Sequence, residues 1–340
     1  MFLHGSIRVA RLVWGGVLVV ALAACGGLGS ATPASVPAGR DATEAARIDA
    51  SGCRKSIVYV TSYNNSVYIY DQAHNKRTPC GQITGVTNPQ GLFVDSQRNL
   101  WVAIAGDCKN QFSSVLEFAP GSTTPIKTLQ DPDGPATDVA VDNASGTVYV
   151  TNFFDYSRGC ASGNNGVVEV YANGSVTPTA TLSDPNMNYA FNDAVDDQGN
   201  LYVTYLGTYG SSGSGHIDEW AGGSGTAKDL GITLKAPGGI QTTKTGALLV
   251  CDQEVGCGNF APGATTMTNL FATKHPGSFG VALDKRENRA WVENPGLSAG
   301  QLQEYLYPGP DKGSKQSITV PGGGYAGVAL SPAAPQGAPY

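Results

Sequence analysis

The sequence predicts an all-β fold: a six-bladed β-propeller of four-stranded blades, in which the C-terminal strand joins the N-terminal blade and closes the ring. Three observations predict it. A short strand motif returns six times, a second strand precedes the motif at a nearly even spacing, and one unmatched strand remains at each end of the repeat region. The charged fraction of 14% and the 45 glycines favour many tight turns over helices.

The recurring motif is an apolar residue, then a large residue, then a valine, with apolar and polar residues alternating around it. Such alternation is typical of a β-strand. We expect each copy to be the second strand, strand B, of one blade. The six copies are Val58-Tyr59-Val60, Leu100-Trp101-Val102, Val148-Tyr149-Val150, Leu201-Tyr202-Val203, Leu248-Leu249-Val250 and Ala290-Trp291-Val292.

The strand that precedes the motif, strand A, ends in a polar residue. Its copies are residues 91–95, 138–142, 192–196, 239–243, 280–284 and 327–331. Their last residues are 47, 54, 47, 41 and 47 positions apart, which is the length of a four-stranded propeller blade. Two further strands, C and D, follow in several repeats, for example at residues 116–118 and 126–129. A β-sandwich, the alternative fold, gives no reason for one motif to recur at this spacing.

The two ends of the repeat region each lack a partner strand. The last strand A, at 327–331, has no strand B after it, and the first strand B, at Val58, has no strand A before it. Pairing these two strands closes the ring and leaves no open sheet edge. The long segments around Tyr156 and Tyr209 leave room for a degenerate seventh blade.

The N-terminal segment predicts export. Arg8 and Arg11 precede an apolar run over residues 12–24 that suits a signal peptide. The run ends in Leu22-Ala23-Ala24-Cys25, which resembles the lipobox of bacterial lipoproteins. This resemblance implies cleavage before Cys25, lipid on Cys25, and a lipid-anchored protein of the bacterial cell envelope, either periplasmic or surface-exposed. An ordinary cleaved signal peptide and a single membrane anchor are the alternatives.

The chain therefore divides into a signal peptide at 1–24, a lipid-anchored flexible tether at 25–52, the propeller at 53–332 and a loose tail at 333–340. The tether is rich in Ala, Pro and Thr and has too little apolar bulk to pack. A net charge of -6 argues against nucleic acid as a partner. The expected partners are the membrane, through the lipid on Cys25, and an envelope protein or glycan.

The remaining six cysteines predict disulfide bonds, since an even count in an oxidising compartment is typical of them. Six cysteines allow 15 pairings, so only the predicted fold selects among them. In a propeller the B-to-C and D-to-A connections share one face. On that topology we expect the bonds Cys53–Cys80, Cys108–Cys160 and Cys251–Cys257. A zinc site is the alternative, but no second cysteine pair lies near 251–257 and few histidines are present.

One repeat resembles the NHL repeat most clearly: Pro89-Gln90-Gly91-Leu92-Phe93-Val94-Asp95, followed by Asn99-Leu100-Trp101-Val102. The copy over 196–203, with Gly199-Asn200-Leu201-Tyr202-Val203, is similar in its second half. The resemblance covers about residues 56–331 and extends to gluconolactonase-like and senescence-marker propellers. These propellers include lactonases, lyases, sugar-binding modules and scaffolds, so the resemblance implies architecture and little chemistry.

The lactonase-type members of this group hold a divalent cation in the central channel, which makes calcium the possible cofactor. The first inner-strand position is Gly91, Asp138, Asn192, Gly239, Gly280 and Gly327 in the six blades. Only Asp138 and Asn192 are ligands by type, and Asp193 lies beside them. We therefore take Asp138 and Asn192 as the candidate metal residues. The alternative is that they only hydrogen-bond to neighbouring strand ends.

The long B-to-C connections carry aromatic rings and a few charges, a composition that suits a binding surface. With the channel residues they give the candidate ligand-binding set. Its members are Asp107, Asp138, Phe153, Tyr156, Arg158, Asn192, Asp193, Tyr205 and Glu293. The alternative is that these rings only cover the ends of the blades.

The leading functional prediction is a lipid-anchored, non-enzymatic binding or scaffold module for protein, peptide or glycan. The sequence contains no Gly-x-Ser-x-Gly elbow, no Walker-type loop and no His-Glu-x-x-His motif. A calcium-dependent lactonase-like or lyase-like enzyme, with its site at the channel mouth, is the first alternative. A role confined to envelope assembly is the second.

Overall fold

The computed structural model describes residues 53, 56–72, 78–106, 113–155, 165–208, 211–272, 278–294, 300–309 and 312–331. These residues form 24 strands in six four-stranded antiparallel sheets, so the predicted six-bladed propeller is confirmed. A single 3-10 turn, Ala221–Gly223, interrupts them. No helix in this part of the chain has the length and apolar character needed to cross a membrane.

Every blade runs from an inner strand A to an outer strand D. The first blade contains β1 (Ile57–Ser62), β2 (Ser66–Asp71), β3 (Gly81–Thr84) and, as its strand A, β24 (Gly324–Ser331). The second contains β4 (Pro89–Val94), β5 (Leu100–Ile104), β6 (Ser113–Phe118) and β7 (Lys127–Asp131); the third, β8 (Ala136–Val141), β9 (Val148–Asn152), β10 (Val167–Tyr171) and β11 (Ala180–Leu182).

The other three blades repeat the order. The fourth contains β12 (Tyr189–Val195), β13 (Leu201–Leu206), β14 (Gly215–Trp220) and β15 (Lys228–Asp229). The fifth contains β16 (Pro237–Thr242), β17 (Leu248–Asp252), β18 (Gly256–Phe260) and β19 (Thr268–Phe271); the sixth, β20 (Gly280–Leu283), β21 (Arg289–Asn294), β22 (Gln301–Leu306) and β23 (Gln316–Thr319).

The ring closes as the sequence predicts. Strand β24 pairs antiparallel with β1, and Val58 lies opposite Leu330. The Thr61 hydroxyl oxygen also accepts the backbone N–H of Gly327 at 2.9 Å. Because the first sheet takes strands from both ends of the described chain, it leaves no unpaired inner edge.

The acidic residue at the end of strand A builds the turn into strand B. The Asp95 carboxylate accepts the Asn99 backbone N–H at 2.8 Å, its side-chain amide at 3.0 Å and the Trp101 indole N–H at 3.1 Å. Asp196 repeats this arrangement with Asn200 and with the Tyr202 hydroxyl. The aspartate and asparagine that carry part of the NHL resemblance are therefore turn-forming residues.

One aromatic residue of each strand C faces the first residue of the strand B motif. The pairs are Val58 with Tyr70, Leu100 with Phe118, Val148 with Tyr171, Leu201 with Trp220, Leu248 with Phe260, and Ala290 with Tyr305. All six rings are buried. The sequence predicts Phe118, for example, as a strand C residue, but the equivalence of the six rings appears only once the registers are known.

Two of the three predicted disulfides are confirmed. Cys53 is bonded to Cys80, which lies just before β3 in the closing blade. Cys251 and Cys257 are bonded across the paired strands β17 and β18. The third prediction, Cys108–Cys160, and the lipidated Cys25 lie outside the described residues.

Candidate functional site

The inner strands surround a central cavity of about 570 Å³, part of which is open to solvent. Its lining includes the first inner-strand positions of all six blades. These positions lie near the end of the ring that carries the B-to-C and D-to-A connections, which we call the loop face. The opposite end, with the A-to-B and C-to-D turns, is the turn face.

Glycines in the channel allow neighbouring inner strands to approach each other closely. A Cβ atom on Gly91 would overlap the Asp138 carboxylate, and one on Gly327 would overlap the Gln90 carbonyl oxygen. A Cβ atom on Gly280 would likewise come too close to the Ala326 carbonyl oxygen. A glycine at this position has a packing role, because any side chain would push two blades apart.

The structure brings Asp138, Asn192 and Asp193 together. One Asp138 oxygen accepts the Val139 backbone N–H at 2.9 Å, and the other accepts the Asn192 amide at 2.9 Å and the Asp193 backbone N–H at 3.3 Å. Burial raises the pKa of Asp138 to about 7, although these three donors oppose the shift. The aspartate thus links the third blade to the fourth.

Asp193 continues this link on its other side. One of its oxygens accepts the Thr151 hydroxyl at 2.8 Å, and the other has no hydrogen-bond partner. Burial raises the pKa of Asp193 well above its usual range, and the nearby Asp138 raises it further. Two interacting acids at a channel mouth are an arrangement that also occurs in functional sites.

These residues fit a calcium ion poorly. Calcium takes six to eight oxygen ligands, whereas both Asp138 oxygens already accept N–H groups and Asn192 turns its amide N–H towards Asp138. Within the described part of the chain, no group of three or more His, Cys, Asp or Glu residues could hold a metal ion. The calcium role of Asp138 and Asn192 therefore stays a prediction.

A cluster of apolar side chains lies on the loop face, and we call it the aromatic mouth. Phe153 is its centre, with ring centroids 5.5 Å from Phe154, 5.1 Å from Tyr189 and 5.3 Å from Phe191. The complete set is Phe153, Phe154, Tyr189, Phe191, Leu206 and Phe279. The rings of Phe153, Phe154 and Phe279 are only half-buried.

The aromatic mouth draws on three blades. Phe153 and Phe154 directly follow β9, Tyr189 and Phe191 belong to β12, and Phe279 directly precedes β20. Phe191 and Phe279 each stand one residue before the first inner-strand position of their blade. Because these inner strands face the same channel, the two side chains belong at its mouth.

Sequence reasoning named Phe153 for this surface and did not find Tyr189, Phe191, Leu206 or Phe279. A signal was present, since Phe191 and Phe279 directly precede the residues that the sequence places first on their inner strands. That signal applies to two of the six blades only. It would not have shown that Phe153 reaches Phe191, because the bend of a B-to-C connection cannot be read from its composition.

The other candidate residues lie elsewhere. Tyr205 is buried within the fourth blade and stacks on His216 at 5.5 Å. Glu293 is fully buried beside Gly324, and neither of its carboxylate oxygens has a hydrogen-bond partner. Burial raises the pKa of Glu293 well above its usual range. Asp107, Tyr156 and Arg158 lie outside the described residues.

Comparison with known proteins adds no relative. No protein-family model matches the chain, and no curated protein matches its sequence. The resemblance to NHL repeats therefore stays a prediction, while the propeller itself rests on the strand pairing.

Proposed function

We propose that this protein is a binding or scaffold module that recognises a protein, peptide or glycan through the aromatic mouth. One observation carries the proposal: half-buried phenylalanine rings from separate blades pack in one cluster on the loop face. Large rings provide contact area at little cost in side-chain entropy, which is why binding hot spots favour them. The fold supplies a rigid frame that holds these rings in place.

Exposed apolar side chains also occur singly, outside the aromatic mouth. Ile126 and Val176 are exposed, but each lies in a C-to-D turn on the turn face. Scattered single residues of this kind are normal on protein surfaces. A contiguous cluster of six apolar side chains, three of them only half-buried, is a better candidate for an interface, because a ligand can contact several side chains at once.

A glycan array and an envelope peptide library, probed with the exported chain, test the proposal. Phe153→Ser and Phe279→Ser should each weaken binding of any ligand found by about tenfold or more, since losing a central anchor costs about 1.4 kcal/mol or more. The matched control, Ile126→Ser, removes an exposed apolar side chain on the turn face and should bind as the wild type does. Equal losses in all three variants, or none in the mouth variants, would contradict the proposal.

A lactonase-like or lyase-like activity is the second candidate, and the calcium dependence expected from the sequence is tested with it because Asp138 and Asn192 do not form a ready calcium site. The observation in its favour is the pair Asp138 and Asp193, two buried acids with raised pKa values beside the channel. Lactone hydrolysis that requires calcium and is lost in Asp138→Asn would support it. Wild-type turnover at the uncatalysed rate, with and without calcium, would remove it.

We also propose lipid anchoring at Cys25 in the bacterial cell envelope. The support is the Leu22-Ala23-Ala24-Cys25 sequence together with two disulfides, which form in oxidising compartments. Incorporation of labelled fatty acid into the wild type but not into Cys25→Ser would test it.

A further inference from the structure

Two buried acids meet where the second blade packs against the third. Asp131 is the last residue of β7, and Glu169 lies in β10. Both are fully buried, and their carboxyl groups are within hydrogen-bonding distance of each other. Asn152 donates its amide N–H to Asp131 at 3.0 Å, and the Tyr171 hydroxyl lies 2.7 Å from Glu169 Oε2.

This acid pair has more acceptors than donors. Three oxygens have no hydrogen-bond partner: Asp131 Oδ2, Glu169 Oε1 and Asn152 Oδ1. The Tyr171 hydroxyl also lies 2.7 Å from the Gln130 carbonyl oxygen, yet it has only one proton to donate. Buried acceptors without donors are costly, so the arrangement requires at least one cation or proton that the other side chains do not supply.

Within the part of the chain that the structure describes, no positively charged group stabilises the pair. The groups that act on it are Asn152, Tyr171 and Asp133. The Asp133 backbone N–H donates to Asp131, whereas the Asp133 carboxyl adds negative charge beside Asp131 and is also a hydrogen-bond partner of Glu169 that raises the Glu169 pKa. No Lys, Arg or His among the described residues contributes. Two ionised carboxylates in contact, both away from water, would repel each other strongly.

A proton fits the pair better than a metal ion does. Calcium needs six to eight oxygen ligands, whereas this position offers the two buried carboxyl groups, the Asn152 amide oxygen and the partly buried Asp133 carboxyl. A single proton carried by one carboxyl and donated to the other removes one charge and supplies the missing hydrogen bond. Carboxyl pairs that share one proton in this way are known from acid–base chemistry in proteins.

We propose that Asp131 and Glu169 share one proton in the folded protein at neutral pH, and that this proton locks the second blade to the third. Asn152, which binds Asp131, directly precedes Phe153, so the lock also holds the base of the connection that carries the aromatic mouth. Loss of the proton at higher pH places two negative charges in this contact and weakens it.

The direction of the pH effect follows from linkage. Burial raises the pKa of Asp131 to about 7. Burial, together with the negative charge of Asp131, raises the pKa of Glu169 to about 10. In the unfolded chain both groups ionise near pH 4. The folded state therefore holds a proton that the unfolded state has lost, and the stabilisation falls as pH rises from about 4 towards 10.

The sixth blade contains a neutral counterpart of this arrangement. Gln303 lies opposite Val292, just as Glu169 lies opposite Val150, and the Tyr305 hydroxyl donates to the Gln303 side chain at 2.9 Å. A glutamine is therefore accommodated at this position of strand C. We expect Glu169→Gln to fold, with its amide N–H replacing the shared proton in the contact with Asp131.

The test is the pH dependence of unfolding by urea for the wild type and Glu169→Gln between pH 5 and pH 9. Other buried acids, such as Asp138 and Glu293, contribute to both curves, so the difference between them isolates the pair. The ratio of the unfolding equilibrium constant of the wild type to that of Glu169→Gln should rise by up to about tenfold per pH unit, because the wild type loses stability relative to the variant as pH rises. Glu219→Gln, which alters a strand C carboxylate paired with Lys228 at the surface, should keep the wild-type slope.

Infrared spectroscopy gives an independent reading. The wild type should show a protonated-carboxyl band at pH 8 that is weaker in Glu169→Gln, with the two proteins equally folded. Equal slopes and equal bands would overturn the proposal. Millimolar calcium that raises the melting temperature of the wild type at pH 8, but not that of the variant, would also overturn it, because the pair would then hold a metal ion.

Discussion

Two neighbouring contacts between blades show how one repeat can produce different chemistry. In the third blade, strand C carries Glu169 opposite Val150; in the fourth, it carries Asp218 opposite Val203. The preceding D strands end alike, in Thr-Leu-Gln-Asp131-Pro and Thr-Leu-Ser-Asp184-Pro. Both contacts therefore place an acid of strand C near an acid at or just after the end of strand D of the preceding blade.

The surroundings differ in side-chain length and in the aromatic partner. Asp131 is fully buried against Glu169, whereas Asp184 is half-exposed and acts on Asp218 only through its charge. Tyr171 brings a hydroxyl to Glu169, but Trp220 takes its place in the fourth blade and its indole N–H has no partner. The repeat gives these two acids equivalent positions in their blades, and the neighbouring side chains decide whether each is locked to a second acid.

The largest loss of stability is expected from replacing the buried aromatic residue of strand C in the fourth blade. Trp220 is fully buried and makes no hydrogen bond, so it contributes through packing alone. Trp220→Ala should lower the free energy of unfolding by about 3–5 kcal/mol, as measured by urea titration at pH 6. A loss below about 1 kcal/mol would mean that the fourth blade does not depend on this ring.

The second-largest effect is expected on the pH dependence of stability, from replacing Asp218 in the fourth blade. Burial, followed by the charges of Asp184 and Asp229, raises the pKa of Asp218 to about 7. The folded protein thus keeps a proton that the unfolded chain loses near pH 4, and stability falls as pH rises towards 7. Asp218→Asn should reduce the difference in unfolding free energy between pH 5 and pH 8 by about 2 kcal/mol.

Combining Asp218→Asn with Glu169→Gln sharpens the comparison. The two acids lie in different contacts, so their effects on the pH slope should add. A double variant that shows no further loss of slope beyond either single variant would indicate one coupled acid network instead of two separate contacts.

The smallest effect separates the ring of Tyr171 from its hydroxyl. Tyr171→Phe keeps the ring but removes the one side-chain O–H that reaches Glu169 among the described residues, and the free energy of unfolding should fall by about 0.5–1.5 kcal/mol at pH 6. Phe118 already places a phenyl ring at this position in the second blade, so the ring alone is tolerated. Wild-type stability of this variant would show that the hydroxyl does not support the acid pair.

Only some of the contacts in the candidate site can be predicted from the sequence. The sequence predicts that Asp138 and Asn192 stand on adjacent inner strands, and the structure joins them by a hydrogen bond of 2.9 Å. It also places Phe153 in a B-to-C connection. It predicts neither that Phe153 packs on Phe191 nor that Tyr205 turns into the fourth blade, because the direction of a side chain at a strand end depends on bulges such as the one after Ala190.

The sequence alone determined the number of blades, the strand order, the closure of the ring and two disulfide bonds. Each of these follows from local patterns that repeat with the length of a blade, or from a chain end that lacks a partner. Only the tertiary structure decided the aromatic mouth and the acid pair of Asp131 and Glu169. Both join residues of different blades, where side-chain length and burial set the contacts, and no local periodicity in the sequence records them.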